Sequence, residues 1–157
     1  MTPVDIELKL KVEQALAHQS LQFVRNVRGD YLRLYFGKGA LMITKDSKKT
    51  NSCEHILFVC RPFRMIKQGK ILWGDADMFH PKSDVDYEEW RKDLSGKSVL
   101  DDKLEAFVKN ECPLHVSSIS VGEIGSMEIC FVNNMIFEIM AHSGADLRLW
   151  ELRSRRE

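Results

Sequence analysis

Two stretches of this chain carry the same pattern of residues, and that repetition limits what it can fold into more than any other feature. Residues Leu21 to Ile43 alternate apolar and polar side chains about a Gly29-Asp30 turn and a Gly37-Lys38-Gly39 turn, and Val116 to Ile139 do the same about Gly125 and Asn133-Asn134. Laid on one another, Leu32-Arg33-Leu34-Tyr35-Phe36 falls against Met127-Glu128-Ile129-Cys130-Phe131. Alternation with period two, broken by Gly and Asn pairs, is the pattern of half-buried strands joined by tight turns. Each copy then runs on to a further apolar stretch, Ile56 to Met65 in the first and Leu147 to Leu152 in the second. A duplicated β-meander is scaffold, and neither copy carries a catalytic motif.

A chain of 157 residues is most simply one domain spanning 1–157 and is long enough to bury a core. The expected layout is a repeat of about 21–66 and 114–153 separated by an acidic, helical insertion at 74–110. Lys and Arg number 23, as do Asp and Glu, so no overall charge directs the chain to nucleic acid. No apolar run is long enough for a membrane-spanning helix, and the start Met1-Thr2-Pro3-Val4-Asp5 lacks the character of a signal peptide, so a cytoplasmic protein is expected. Four cysteines in such a setting are expected to be free thiols.

Apolar residues at near-helical spacing predict an amphipathic helix over Val4 to Ala17, with Ile6, Leu10, Val12, Leu16 and Ala17 as its apolar set. Lys45 to Glu54 reads as a polar loop. His55 to Cys60, Phe63 to Ile66 and Ile71 to Trp73 read as strands, the last two flanking a Gln68-Gly69-Lys70 turn. Ser83 or Asp84 is placed to cap a short helix running to Lys92, and Leu100 to Val108 to form another, with Ser98 and Asp101 as a capping box. Strands and helices in separate runs predict an α+β fold. In it, an antiparallel sheet of two related meanders has the N-terminal and middle helices packed on it. Leu32, Leu34, Phe36, Leu41, Ile43, Ile129, Phe131, Phe137, Ile139 and Trp150 are its expected core.

The sequence offers residues for four kinds of chemistry. Cys53, His55, Cys112 and His115 form two short Cys/His pairs, but not with the spacing of zinc knuckles, and surface or packing roles are the simpler reading. No nucleophile elbow or catalytic-cysteine signature occurs, and Gly37-Lys38-Gly39 opens no helix, so it matches no phosphate-binding loop. No metal or cofactor is expected. The basic residues of the Lys45 to Lys49 loop and of the Arg153-Ser154-Arg155-Arg156 tail are too few for a nucleic-acid surface. The segment from Trp73 to Trp90 stands out: Asp75, Asp77, Asp84, Asp86, Glu88 and Glu89 interleave with Trp73, Phe79, Tyr87 and Trp90. Those ten residues read either as a partner-binding surface, aromatics anchoring and carboxylates steering, or as core aromatics under a solvated acidic rim.

The phrase Gly29-Asp30-Tyr31-Leu32-Arg33-Leu34-Tyr35-Phe36, continued by Gly39 to Ile43 and closed in the second copy by Asp146-Leu147-Arg148-Leu149-Trp150-Glu151-Leu152, resembles the small bacterial immunity proteins of polymorphic-toxin and contact-dependent growth inhibition systems. The likeness covers most of the chain, on motifs that any β-meander shares. It implies a non-enzymatic inhibitor whose partner is a cognate toxin domain, often a nuclease, with its active or substrate-binding surface covered. On that reading the acids from Asp75 to Glu89 imitate phosphate charge. An adaptor or mobile-element protein with another partner is the alternative, and a small hydrolase or zinc protein a third.

Overall fold

The computed structural model describes residues 6–27, 30–37, 53–83, 85–88, 98–141 and 149–155. Helix α1 (Ile6–Leu16) leads into strands β1 (Ser20–Val27), β2 (Tyr31–Phe36) and β3 (His55–Val59). Strands β4 (Phe63–Lys67) and β5 (Lys70–Gly74) form a hairpin that ends in a 3-10 helix, Asp75–Phe79. Helix α2 (Val99–Glu111) leads into β6 (Leu114–Val121), β7 (Met127–Phe131) and β8 (Met135–Ile139), and β9 (Trp150–Ser154) closes the chain. The fold is α+β, and the described residues form one antiparallel nine-stranded sheet in the order β5-β4-β8-β7-β6-β1-β2-β3-β9.

A helix followed by three antiparallel strands thus occurs twice, with β2 and β7, the two stretches aligned in the sequence, each second in its unit. The fourth strands are exchanged. β4, which follows β3, pairs with β8, and β9, which follows β8, pairs with β3. The two halves meet through β1 and β6, which share only the pairs Ser20–His115 and Leu21–Leu114.

Chain connectivity forces this sheet to curl. β3 and β4 stand six strand positions apart, which in a flat sheet is about 29 Å. Only Cys60, Arg61 and Pro62 link them, a reach of at most about 14 Å. The indole nitrogen of Trp150 in β9 also donates to the Gly125 carbonyl at 2.9 Å, in the turn between β6 and β7, four strands away by sheet order. The concave side is apolar. Leu32, Leu34 and Phe36 of β2, Leu57 and Val59 of β3, Met127, Ile129 and Phe131 of β7 and Phe137 and Ile139 of β8 all belong to one buried cluster. Of the ten expected core residues, eight are buried, while Leu41 and Ile43 lie outside the described residues.

The turns have the chemistry their geometry requires. Asn133 and Asn134 have φ of 66° and 57°, and Gln68 and Gly69 have φ of 51° and 79°. Two successive left-handed residues are what a two-residue hairpin needs to match the twist of its strands, and Asn and Gly adopt them most cheaply. Gly37 has φ of 99°, and a Cβ there would stand 2.8 Å from the Glu54 Cβ, so both backbone and space demand glycine.

The helices close the sides of the curl. On α1 the inward stripe is Leu8, Val12 and Leu16, spaced four apart. Ile6 and Leu10 lie two residues out of phase with that stripe and are 74% and 48% exposed, which corrects their expected place on the apolar face. On α2, Leu100, Leu104 and Phe107 are buried. Its capping box forms as the spacing predicts: Asp101 N donates to Ser98 Oγ at 3.3 Å, and Ser98 N donates to Asp101 Oδ2 at 3.0 Å. Ser98 is fully buried. Ser98→Ala is expected to cost about 1 kcal/mol, read as a shift in the urea midpoint with unchanged slope. Of the helix expected from Ser83 or Asp84 to Lys92, Asp84 and residues 89–92 lie outside the described residues, as does Leu147 of the last expected strand, which is described as Trp150–Ser154.

Candidate partner-binding surface

The acidic-aromatic segment divides in the structure. Trp73 is fully buried, against Phe63, Phe107 and Phe137 at ring distances of 6.1, 5.6 and 5.8 Å. It is a core residue, a correction to its expected place as a partner anchor. Asp75 and Asp77 serve the local fold: Asp75 Oδ1 accepts from Phe63 N at 3.0 Å, and Asp77 Oδ2 accepts from Gly74 N at 3.0 Å. Asp77 also pairs with Lys103 at 3.0 Å. Carboxylates there stop the β5 strand and start the 3-10 helix by holding backbone N–H groups that have no ladder partner. Phe79 and Tyr87 are exposed, as are Asp86 and Glu88, and the Arg61 guanidinium lies over the Phe79 ring at 5.3 Å. Asp84, Glu89 and Trp90 lie outside the described residues.

A second cluster, on the convex face of the sheet, went unread in the sequence. Successive side chains of a strand point to opposite faces, so while Leu32, Leu34 and Phe36 go to the core, Tyr31, Arg33 and Tyr35 face outward. The register extends this face across four strands. Arg25, Arg33, Phe58 and Glu151 stand in one row, and Phe23, Tyr35, Ile56 and Arg153 in the next. Tyr31 and Phe58 have ring centroids 5.8 Å apart. The Arg33 guanidinium lies 5.7 Å from the Tyr31 centroid and 5.4 Å from that of Phe58. The Arg153 guanidinium sits 4.7 Å from the Phe58 centroid. With Cys60, Trp150 and Glu151 these residues line an open cleft of about 560 Å³.

The electrostatics of this face are unbalanced. Arg25 and Arg33 are direct cross-strand neighbours, a like-charge pairing that destabilises a sheet. Arg33 Nη2 donates to the Tyr31 hydroxyl at 3.2 Å, while its buried Nε has no acceptor among the described residues. Burial disfavours the charge on Arg33, but the phenols of Tyr35 and Tyr31 outweigh that and hold its pKa above the ordinary value. The Tyr35 hydroxyl nevertheless lies buried without a hydrogen bond of good geometry among the described residues. The visible sequence signal was the identity of the polar positions: Arg33 and Tyr35 stand where a solvated strand usually carries small or flexible polar residues.

The Cys/His pairs serve other ends. His55 Nδ1 lies 2.7 Å from Ser154 Oγ across the β3–β9 pairing, and His115 stacks on His18 at 6.3 Å. Among the described residues no group of three or more His, Cys, Asp or Glu is arranged to hold a metal ion. Burial pushes the Cys53 thiol above its ordinary value and, with Glu111 adding to the effect, pushes Cys112 up from 9.0 to about 12. A thiol so placed stays protonated at neutral pH and is a poor nucleophile. Its folded pKa exceeds its unfolded one, so the stability it contributes is present below about pH 9 and is lost as pH rises towards 12. Thermal melts between pH 8 and 11 should therefore fall less steeply for Cys112→Ala than for the unmodified chain.

No described helix is long and apolar enough to cross a membrane. Compared with known families, with curated proteins and with solved structures, the chain matches none of them.

Proposed function

We propose that this chain is a non-catalytic protein-binding domain of the immunity type, acting in the cytoplasm to neutralise one toxin domain by covering its active or substrate-binding surface. The observation that supports this reading is the arginine-aromatic cluster of Tyr31, Arg33, Phe58 and Arg153 on the outer face of the sheet. Tyr and Arg concentrate binding energy at the centres of protein interfaces, and a strand framework holds them in place before the partner arrives. The exposed Phe79, Asp86, Tyr87 and Glu88, with Asp84, Glu89 and Trp90 next to them in sequence, form a second proposed contact. There, carboxylates would steer a basic toxin surface.

The test is co-purification of the tagged chain with the product encoded immediately upstream, together with growth of cells expressing that product. A one-to-one complex and restored growth are expected. An upstream product that is harmless and does not bind would overturn the proposal.

A further inference from the structure

We propose that the arginine-aromatic cleft captures a carboxylate, an Asp or Glu side chain presented by the partner protein among apolar groups; this rests on the protein-binding reading above. Three features on the same face call for an anion. Arg25 and Arg33 are like-charged cross-strand neighbours, although Arg25 itself lines a separate groove with Asp101 and Glu105. The buried Nε of Arg33 has no acceptor among the described residues. Among the described residues Glu151 is the one carboxylate lining the cleft, and it pairs with Arg153 at 3.5 Å. The Arg33 guanidinium lies 5.7 and 5.4 Å from the Tyr31 and Phe58 centroids, and the Tyr31 hydroxyl helps to hold its planar fork of donors in place. That fork matches the two oxygens of a carboxylate, where an ammonium offers only a point charge.

The same geometry favours a protein over a nucleic acid. Single strands bind such faces by stacking bases on open aromatic rings, but here Arg33 and Arg153 already lie over Phe58, and Arg33 over Tyr31. The chain as a whole has no net charge to hold a polyanionic backbone.

The experiment uses the full chain, unmodified and as Arg33→Lys, which keeps the charge and the aliphatic stem. Fluorescence anisotropy follows three labelled probes: a decapeptide of Glu and Leu, its Gln-for-Glu counterpart, and a ten-nucleotide oligothymidylate. The Glu peptide should bind at least tenfold more tightly than either other probe, and Arg33→Lys should weaken it at least tenfold with an unchanged circular dichroism spectrum. Equal binding of the Glu and Gln peptides overturns the proposal, as does wild-type affinity in Arg33→Lys, preference for the oligothymidylate, or no binding of the Glu peptide below millimolar concentration. A toxin complex indifferent to Arg33→Lys would remove this site and leave the neutralisation reading standing. The expected peptide results with an inert upstream product would do the reverse.

Discussion

Trp73→Ala should destabilise the fold by about 3–5 kcal/mol, the usual cost of truncating a buried aromatic and a large part of the about 5–15 kcal/mol that holds a domain together. Trp73 has no exposed surface, and it touches rings from three elements: Phe63 of β4, Phe137 of β8 and Phe107 of α2. Removing it opens a cavity where the β4–β5 hairpin, the exchanged partner of β8, is sealed by helix α2. Trp73→Phe should cost far less. It keeps most of the ring volume, and it removes an indole N–H that is buried without an acceptor among the described residues, a group that is itself unfavourable. Urea unfolding of the two variants separates these effects. A cost for Trp73→Ala below about 1 kcal/mol would contradict full burial.

Trp150→Ala should cost about 3–4 kcal/mol, with a different local signature. Trp150 is 3% exposed, stands opposite Val59 in β3, and ties β9 to the β6–β7 turn through Gly125 at 2.9 Å. That bond spans the mouth of the curled sheet, so its loss should loosen the outer strands before the centre. Amide exchange should rise most in β3 and β9, with β6 and β7 affected little. Trp150→Phe isolates the bond and should cost about 1 kcal/mol. Uniform acceleration across all nine strands would show instead that the sheet opens as one unit.

Much of the scaffold could be read before folding because it depends on local rules. The alternation in Leu32-Arg33-Leu34-Tyr35-Phe36 gave β2 and its buried face, Asn133-Asn134 gave the β7–β8 turn, and Ser98 with Asp101 gave the start of α2. Each is specified by residues within a few positions of one another. The expected site was less legible. The carboxylates of Asp75 and Asp77 are absorbed by backbone groups at the start of β4 and the end of β5, and nothing in a one-dimensional cluster of acids says which will be consumed in this way. The α1 stripe was misread because Ile6 and Leu10 match helical spacing to one another as well as Val12 and Leu16 do, and only the docked helix shows which pair faces the core.

The sequence by itself determined the α+β class, the places of most strands and turns, and the eight described residues among the expected core. Period-two burial and turn conformation are properties of neighbouring residues. Tertiary structure alone decided the exchange of β4 and β9 between the halves, the curl that brings Trp150 to Gly125, and the row that sets Arg25, Arg33, Phe58 and Glu151 side by side. Those four residues come from four different strands. Which strands become neighbours is fixed by how the whole apolar surface is buried at once, a condition no local stretch of chain contains.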